Sequence, residues 1–337
     1  MRAYTISKDC RSIDQLRLVE RPDPAPGPGQ VLVRIRAASL NYRDQMIAVS
    51  DYFGMSADRE LIPMSDMAGE VLAVGAGVTR FKPGDRVCGC FSQADPNGPA
   101  HGPQAPLGLP LDGVLAEQIV LHEEGLVPAP QGYSFEEAAC LPCAGVTAWN
   151  TLMVAGRPLR PGDTVLALGT GGVSIWALQL AAATGARVIV TSSSDDKIER
   201  AKALGAWAGV NYRRTPEWDQ EVLALTGGRG ADCVIEVGGN GTLARSFRAL
   251  APGGKVGLIG VLSGPSGDIS PQTLMFKRGT LHGIMVGDRA LFEQLIRAVE
   301  ENGVRPVVDR VFPFEAAREA YAHQRGGDFM GKVVIAI

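Results

Sequence analysis

A short apolar strand running into a glycine turn and then a helix constrains this chain more than any other feature: Thr164-Val-Leu-Ala-Leu-Gly169-Thr-Gly171-Gly172-Val-Ser174. Val165, Leu166 and Leu168 make a continuous apolar run, as a parallel strand covered on both faces requires. Gly169 permits a tight turn, and Gly171 and Gly172 let backbone N–H groups approach a phosphate closely. A helix over 173–184 then points its positive N-terminus at a pyrophosphate. The pattern is the dinucleotide-binding fingerprint with one departure, Ser174 where a third Gly or Ala is usual. A bare G-x-G says little. Here the helix, a closing Gly185 and a second strand over 187–191 supply its context, and Thr170 and Val173 complete the turn expected to hold a nicotinamide dinucleotide.

Composition sets the frame around that turn. A chain of 337 residues implies about two domains, each able to bury a sizeable core. Apolar content of 45% with 20% charged residues describes an ordinary globular chain, and 42 Gly with 22 Pro imply many turns. A net charge of −3 gives no reason to expect a nucleic-acid or anionic-membrane partner. No apolar run is long enough for a bilayer, and the first residues lack the apolar core of a signal peptide. Six scattered Cys do not form a disulfide framework, so the expected location is cytoplasmic.

The first ~140 residues read as β-rich, punctuated by Pro26-Gly27-Pro28-Gly29 and Pro83-Gly84. Residues 92–113 are a Pro/Gly loop without periodicity, and loops of that length are usually functional or the remnant of a lost module. From Phe135 strands and helices alternate, the sign of a doubly wound α/β sheet. After the fingerprint come a helix closed by Gly205, a strand over 209–212, a helix over 217–226 and a strand over 232–237. A helix over 241–250, a strand over 255–261, a last strand over 281–286 and a helix over 290–300 follow. The tail, from Val311 to Ile337, returns to β character.

With the segments PGQVLVRIRAASLNYRD, FKPGDRV, LPCAGVTAW and GTGGVS and the ending GKVVIAI, the whole chain resembles the medium-chain dehydrogenase/reductase superfamily. The resemblance implies a GroES-like β-rich catalytic domain over 1–143, completed by 288–337. A Rossmann dinucleotide-binding domain over 144–287 is inserted between them, with the active site in the cleft. It also implies a small-molecule substrate and a homodimer through the last strand of the cofactor sheet, 281–286.

Zinc members of that superfamily carry Cys and His where this chain has Asn41 and Ser65; the third ligand position, Cys143, is retained. One ligand of three does not hold the metal, and 92–113 has none of the four Cys of a structural zinc lobe. No zinc is expected. Cys140 and Cys143 form a C-x-x-C within an apolar helical stretch, where buried Cys behaves as a small hydrophobe, although a redox role stays open. His101, His122, His282 and His323 show no ligand spacing.

The second strand ends Val190-Thr-Ser192-Ser193-Ser194, and matching the dehydrogenases through Lys197 puts Ser192 where an NAD enzyme has its ribose acid. Lys197 suits a 2′-phosphate, and Tyr212 matches a tyrosine lining that pocket in quinone oxidoreductase-like members. NADP is therefore expected ahead of NAD, with Asp195 or Asp196 as the competing ribose acid. Thr147 matches a threonine near the nicotinamide end, while Val237, Gly238 and Ile259, Gly260, Val261 should line the crevice.

Without a Lewis acid, conjugated acceptors are the easier substrates, because a hydrogen bond suffices for the charge that reaches oxygen. The zinc-free quinone oxidoreductases have Asn and Asp at Asn41 and Asp44 and a loop Tyr at Tyr52, although the Pro that follows it is absent here. The resemblance thus implies Tyr52 or Tyr42 as donor to the acceptor oxygen, with Asn41 orienting it. The expected activity is zinc-independent hydride transfer from NAD(P)H to a quinone, enone or related activated carbonyl. The alternatives are an enoyl-thioester reductase and an NADP-binding redox sensor with little turnover.

Overall fold

Six short strands join into one sheet, and the central ones are too apolar for either face to meet water. In the computed structural model, which describes residues 1–49, 51–55, 58–93, 105–264 and 269–337, every pairing in that sheet is parallel. Its strands lie in the order Ala208–Asn211, Arg187–Ser192, Thr164–Leu168, Ala231–Glu236, Leu250–Leu258, Thr280–Gly283. The chain winds outward one way from Thr164–Leu168, then returns to wind the other way from Ala231–Glu236. That reversal leaves a crevice at the carboxyl ends of these two central strands. Every residue in both strands is buried.

Helix Gly172–Ala183 follows the first strand and is apolar on nearly all sides, burying Ile175, Trp176, Leu178 and Leu180. On the sheet, Leu166, Ile189, Val234 and Val256 pack with Leu243 and Phe247 of helix Asn240–Ala249. This unit comprises residues 147–286.

The second unit comprises residues 1–146 with 287–337. Its seven-stranded sheet runs Val308–Pro313, Lys332–Ala336, Gln30–Ser39, Asp66–Val74, Arg86–Gly89, Leu126–Pro128, with Gln118–His122 also paired to Gln30–Ser39. Val31, Val33 and Ile35 alternate inward along the ten-residue strand and pack with Met67, Val71, Val333 and Ile335. The strand ends at Ser39, and two residues later Asn41 is the N-cap of helix Tyr42–Ala48. Lys332–Ala336 pairs antiparallel with the end of that strand, Val334 opposite Ser39.

Several element boundaries differ from the sequence expectation. The third parallel strand stops at Asn211, so Tyr212 lies beyond it, and the fifth stops at Leu258, before Ile259, Gly260 and Val261. The fourth strand ends at Glu236, before Val237. Its carbonyl accepts from Ile259 N (2.9 Å) and Gly260 N (3.2 Å), and this loop-to-loop bonding replaces the ladder. The last strand is Thr280–Gly283 rather than 281–286; Val286 has φ +51, which no strand accommodates. Two helices have weak local signals, Pro271–Lys277 and Ala317–Gly326, the latter inside the tail expected to be β. Residues 94–104 of the Pro/Gly loop, His101 among them, lie outside the described residues.

Candidate active site

In the parallel-sheet unit, the glycine turn is built from three different demands. Gly169 has φ +75, a conformation that L side chains rarely adopt, and its N–H donates to Thr191 Oγ1 (3.1 Å). Gly171 has φ −77, and a Cβ there would meet nothing within 4 Å. Neither backbone nor packing demands that glycine, so the space beside it fits a ligand pressed onto the chain. The helix that begins at Gly172 leaves the N–H groups of Gly172, Val173 and Ser174 without intrahelical acceptors, the arrangement that binds a pyrophosphate. Thr170 is buried in the turn. Ser174 Oγ turns inward and donates to Leu168 O (2.6 Å).

At the end of the second strand, Ser192 is buried opposite Asn211, and its Oγ accepts from Ser194 N (3.2 Å). Ser194 caps helix Asp195–Ala203 by accepting from Lys197 N, with Ser193 between the two hydroxyls. Tyr212 N–H donates to Ser192 O (3.0 Å), which ties the residue's backbone to this segment, and its side chain is half-exposed. Asp195 Oδ1 accepts from Asn211 Nδ2 (2.8 Å) and from Arg214. Arg214 therefore adds a cation here that the sequence reading did not single out.

At the carboxyl ends of the fourth and fifth strands, Val237 to Gly239 and Ile259 to Val261 come together through Glu236, also missed from sequence. The fully buried Glu236 Oε1 accepts from Gly238 N (2.8 Å), Gly239 N (3.0 Å) and Thr242 Oγ1 (2.6 Å), while Ser246 Oγ donates to Oε2. Burial pushes its carboxyl up, and these donors oppose that shift. Thr147 is buried, and its carbonyl accepts from Thr151 Oγ1 (2.8 Å).

In the antiparallel unit, the residues singled out from sequence converge on two buried carboxylates. Asp44 Oδ2 accepts from Asn41 N (2.8 Å), and its other oxygen lies 3.9 Å from Arg43 Nη1. Burial pushes the Asp44 carboxyl up to about 6. Asp66 Oδ1 accepts from Ser65 Oγ (2.7 Å), and Asp66 Oδ2 accepts from Cys143 N (3.0 Å). Lys332, buried at 3% exposure, donates to Leu40 O (2.7 Å) and Asn41 Oδ1 (2.6 Å) and stands 3.8 Å from Asp66 Oδ2. Tyr52 is buried with its ring 5.3 Å from the Arg43 guanidinium, whereas Tyr42 is 51% exposed. Arg43 is anchored by donating to Leu107 O (2.9 Å), within the described end of the Pro/Gly loop.

These donors do not suit a tetrahedral zinc site. The Asn41 oxygen is taken by an ammonium, the Ser65 hydroxyl donates to Asp66, and burial pushes the Cys143 thiol well up from its ordinary value. A buried ammonium beside them would also repel a dication. Among the described residues no group of three or more His, Cys, Asp or Glu could hold a metal ion. Cys140, its thiol pushed up to about 12 by burial, donates to Glu136 O (3.2 Å), the behaviour of a packed side chain.

Residues 27–131 match the family model of the alcohol dehydrogenase GroES-like domain, and residues 172–301 match that of zinc-binding dehydrogenase. A zinc-type alcohol dehydrogenase-like protein of Schizosaccharomyces pombe is 41% identical, over 99% of both chains. A quinone oxidoreductase of Pseudomonas aeruginosa is 32% identical over 92% of each chain. Among solved structures, an NAD-dependent alcohol dehydrogenase superposes with a TM-score of 0.91 at 35% identity, covering all of both chains.

Proposed function

Because this chain belongs to the medium-chain dehydrogenase/reductase superfamily, we propose that it reduces a quinone, enone or related activated carbonyl by metal-free hydride transfer, with NADPH preferred to NADH. The observation that carries this reading is the contact between Lys332 Nζ and Asn41 Oδ1: the side chain standing where the resemblance implies a zinc ligand gives its oxygen to an ammonium. The turn at 169–174 fits the pyrophosphate, and the segment from Ser192 to Lys197, with Tyr212 and Arg214, fits a 2′-phosphate. Asp195 gives one carboxylate oxygen to Asn211 and Arg214, leaving one rather than two for a ribose hydroxyl pair. Thr147, Val237, Gly238, Ile259, Gly260 and Val261 would hold the rest of the cofactor.

The bound nicotinamide supplies the hydride. The chain's own part is to orient the acceptor and to provide a hydrogen bond and a proton at its oxygen. Tyr52 is the better of the two tyrosines for that role. Its ring is fixed against Arg43, so little conformational entropy is lost in aiming the hydroxyl. Asn41 orients the acceptor, and Asp44 holds the Asn41 backbone. Leu281 on the edge strand, with Met275 and Phe276 before it, exposes an apolar patch suited to a homodimer. Six free cysteines suit the reducing cytoplasm.

Purified protein tested with NADPH and NADH against 9,10-phenanthrenequinone and simple enones, beside a metal analysis, checks this reading. Turnover with a higher kcat/KM for NADPH and zinc far below one per chain is expected. Tight NADPH binding with no turnover on any activated acceptor would replace it with the redox-sensor alternative, and stoichiometric zinc would overturn the metal-free assignment.

A further inference from the structure

Lys332 begins the strand Lys332–Ala336, the immediate neighbour of Gln30–Ser39. Its ammonium is buried and makes its two hydrogen bonds to Leu40 O and Asn41 Oδ1, with Asp66 as counter-charge 3.8 Å away. An ammonium has donors and no acceptor, so it decides which end of the Asn41 amide faces it. The oxygen faces Lys332, and the amide nitrogen must point the other way.

Two observations say that this orientation serves something outside the packing. Asn41 sits at the N-cap of helix Tyr42–Ala48, where an asparagine oxygen ordinarily accepts from the helix's first N–H groups. Here that oxygen accepts at 2.6 Å from Lys332, a partner outside the helix. The nitrogen, Nδ2, is buried and has no hydrogen-bond partner among the described residues. Buried donors left without an acceptor are rare in folded proteins and mark places where an acceptor arrives from elsewhere.

We infer that Lys332 is a positioning residue that holds the Asn41 Nδ2–H as a preorganised donor for the oxygen of the carbonyl acceptor. This rests on the hydride-transfer reading above. As hydride adds at carbon, the electron pair of the acceptor's π system moves onto its oxygen, which later takes a proton from Tyr52 or from water. The Asn41 N–H donates to that oxygen while the charge develops. The Lys332 ammonium, bonded to the other end of the same amide, polarises the donor and keeps it from turning. The fixed positive charge that zinc relatives place beside the acceptor is thus delivered here through one amide.

The test compares Lys332→Met, Lys332→Arg and Asn41→Asp by NADPH oxidation with 9,10-phenanthrenequinone. It is read beside the side-chain amide signal of Asn41 in protein labelled with 15N-asparagine, assigned by its loss in Asn41→Asp. Lys332→Met should lower kcat about 10- to 100-fold with the KM for NADPH within about twofold, and Lys332→Arg should recover most of that loss. Asn41→Asp, which keeps a partner for Lys332 but removes the donor, should fold normally and lose kcat likewise. The Asn41 amide signal should shift or broaden in Lys332→Met. If that variant does not fold, Lys332→Met/Asp66→Asn, which removes both charges, is read by the same criteria. A folded variant lacking Lys332 with kcat within about threefold of wild type, or an unmoved Asn41 signal, overturns the inference. If the wild-type protein itself leaves the quinone untouched, the functional reading fails and the amide signal alone decides the role of Lys332.

Discussion

The Ser174 hydroxyl donates a 2.6 Å hydrogen bond to the Leu168 carbonyl, tying the first turn of the helix to the last residue of the strand before it. The fingerprint normally has Gly or Ala there so that helix and strand approach closely. Serine keeps that approach because it is small and because its hydroxyl finds a buried acceptor. Ser174→Ala should therefore lower unfolding free energy by about 1 kcal/mol, the net worth of one such bond, while leaving NADPH affinity nearly unchanged. Urea denaturation and a fluorescence titration would measure both; a large loss of affinity with no loss of stability would contradict this role.

Cofactor preference should follow the end of the second strand. Ser192→Asp places a carboxylate where a 2′-phosphate is expected, so the Kd for NADPH should rise about tenfold or more while that for NADH stays level or falls. Lys197→Ala should weaken NADPH alone. Parallel titrations with the two cofactors decide the matter, and equal losses for both would remove this segment from the phosphate pocket.

Tyr52 and Tyr42 are separated by their surroundings, one packed on Arg43 and one half in solvent. Tyr52→Phe keeps the ring and its cation–π contact, so thermal stability should hold while kcat drops about 10- to 100-fold, the range for loss of a positioned proton donor. Tyr42→Phe should retain most of its activity. The reverse ranking in steady-state assays would transfer the role to Tyr42.

Asp44 makes stability depend on pH in a direction set by burial. Its carboxyl is raised from 3.8 to about 6 in the folded chain, so between those values the folded state holds a proton that the unfolded state has released. This contribution is fully present below pH ~4 and is lost as pH rises through ~6. Asp44→Asn keeps an oxygen for Asn41 N–H but cannot ionise. Relative to that variant, wild type should lose about 2 kcal/mol of unfolding free energy between pH 4 and pH 7, at about 1.4 kcal/mol for each tenfold difference in proton affinity between the folded and unfolded chain. Denaturation at both pH values measures it, and parallel curves for the two proteins would refute it.

Among the described residues the edge strand Thr280–Gly283 pairs on one side only, and Leu281 there is 40% exposed with Phe276 at 80%. Leu281→Arg with Phe276→Ser should turn a dimer into a monomer in sedimentation velocity, with the cofactor still bound. An unchanged sedimentation coefficient would place the interface elsewhere.

What was legible in the sequence is local. Strand Thr164–Leu168 declares itself by an unbroken apolar run, and Gly169 by a turn that needs positive φ. The parallel sheet follows from strands and helices in alternation. Even the departure at Ser174 was visible, although its acceptor six residues back was not. Helix Ala317–Gly326 escaped because its flanking strands dominate the tail and its own stripe is short, burying Ala317, Ala320, Tyr321 and Gln324.

Sequence alone thus determined that a dinucleotide fold is present and, through the resemblance, that Asn41 and Ser65 are expected where zinc relatives carry ligands. Only the tertiary structure decided what replaces them. Glu236 reads as an ordinary acid at a strand end until four donors from the loop and helix that follow it close on its carboxylate. Lys332 reads as the first charge of a tail strand, yet it meets Asn41 across 291 residues. Periodicity and turn chemistry act over a few residues, so they say nothing about such a meeting. It is fixed by the antiparallel register of Val334 against Ser39, which carries a distant lysine to the end of the strand where Asn41 begins a helix.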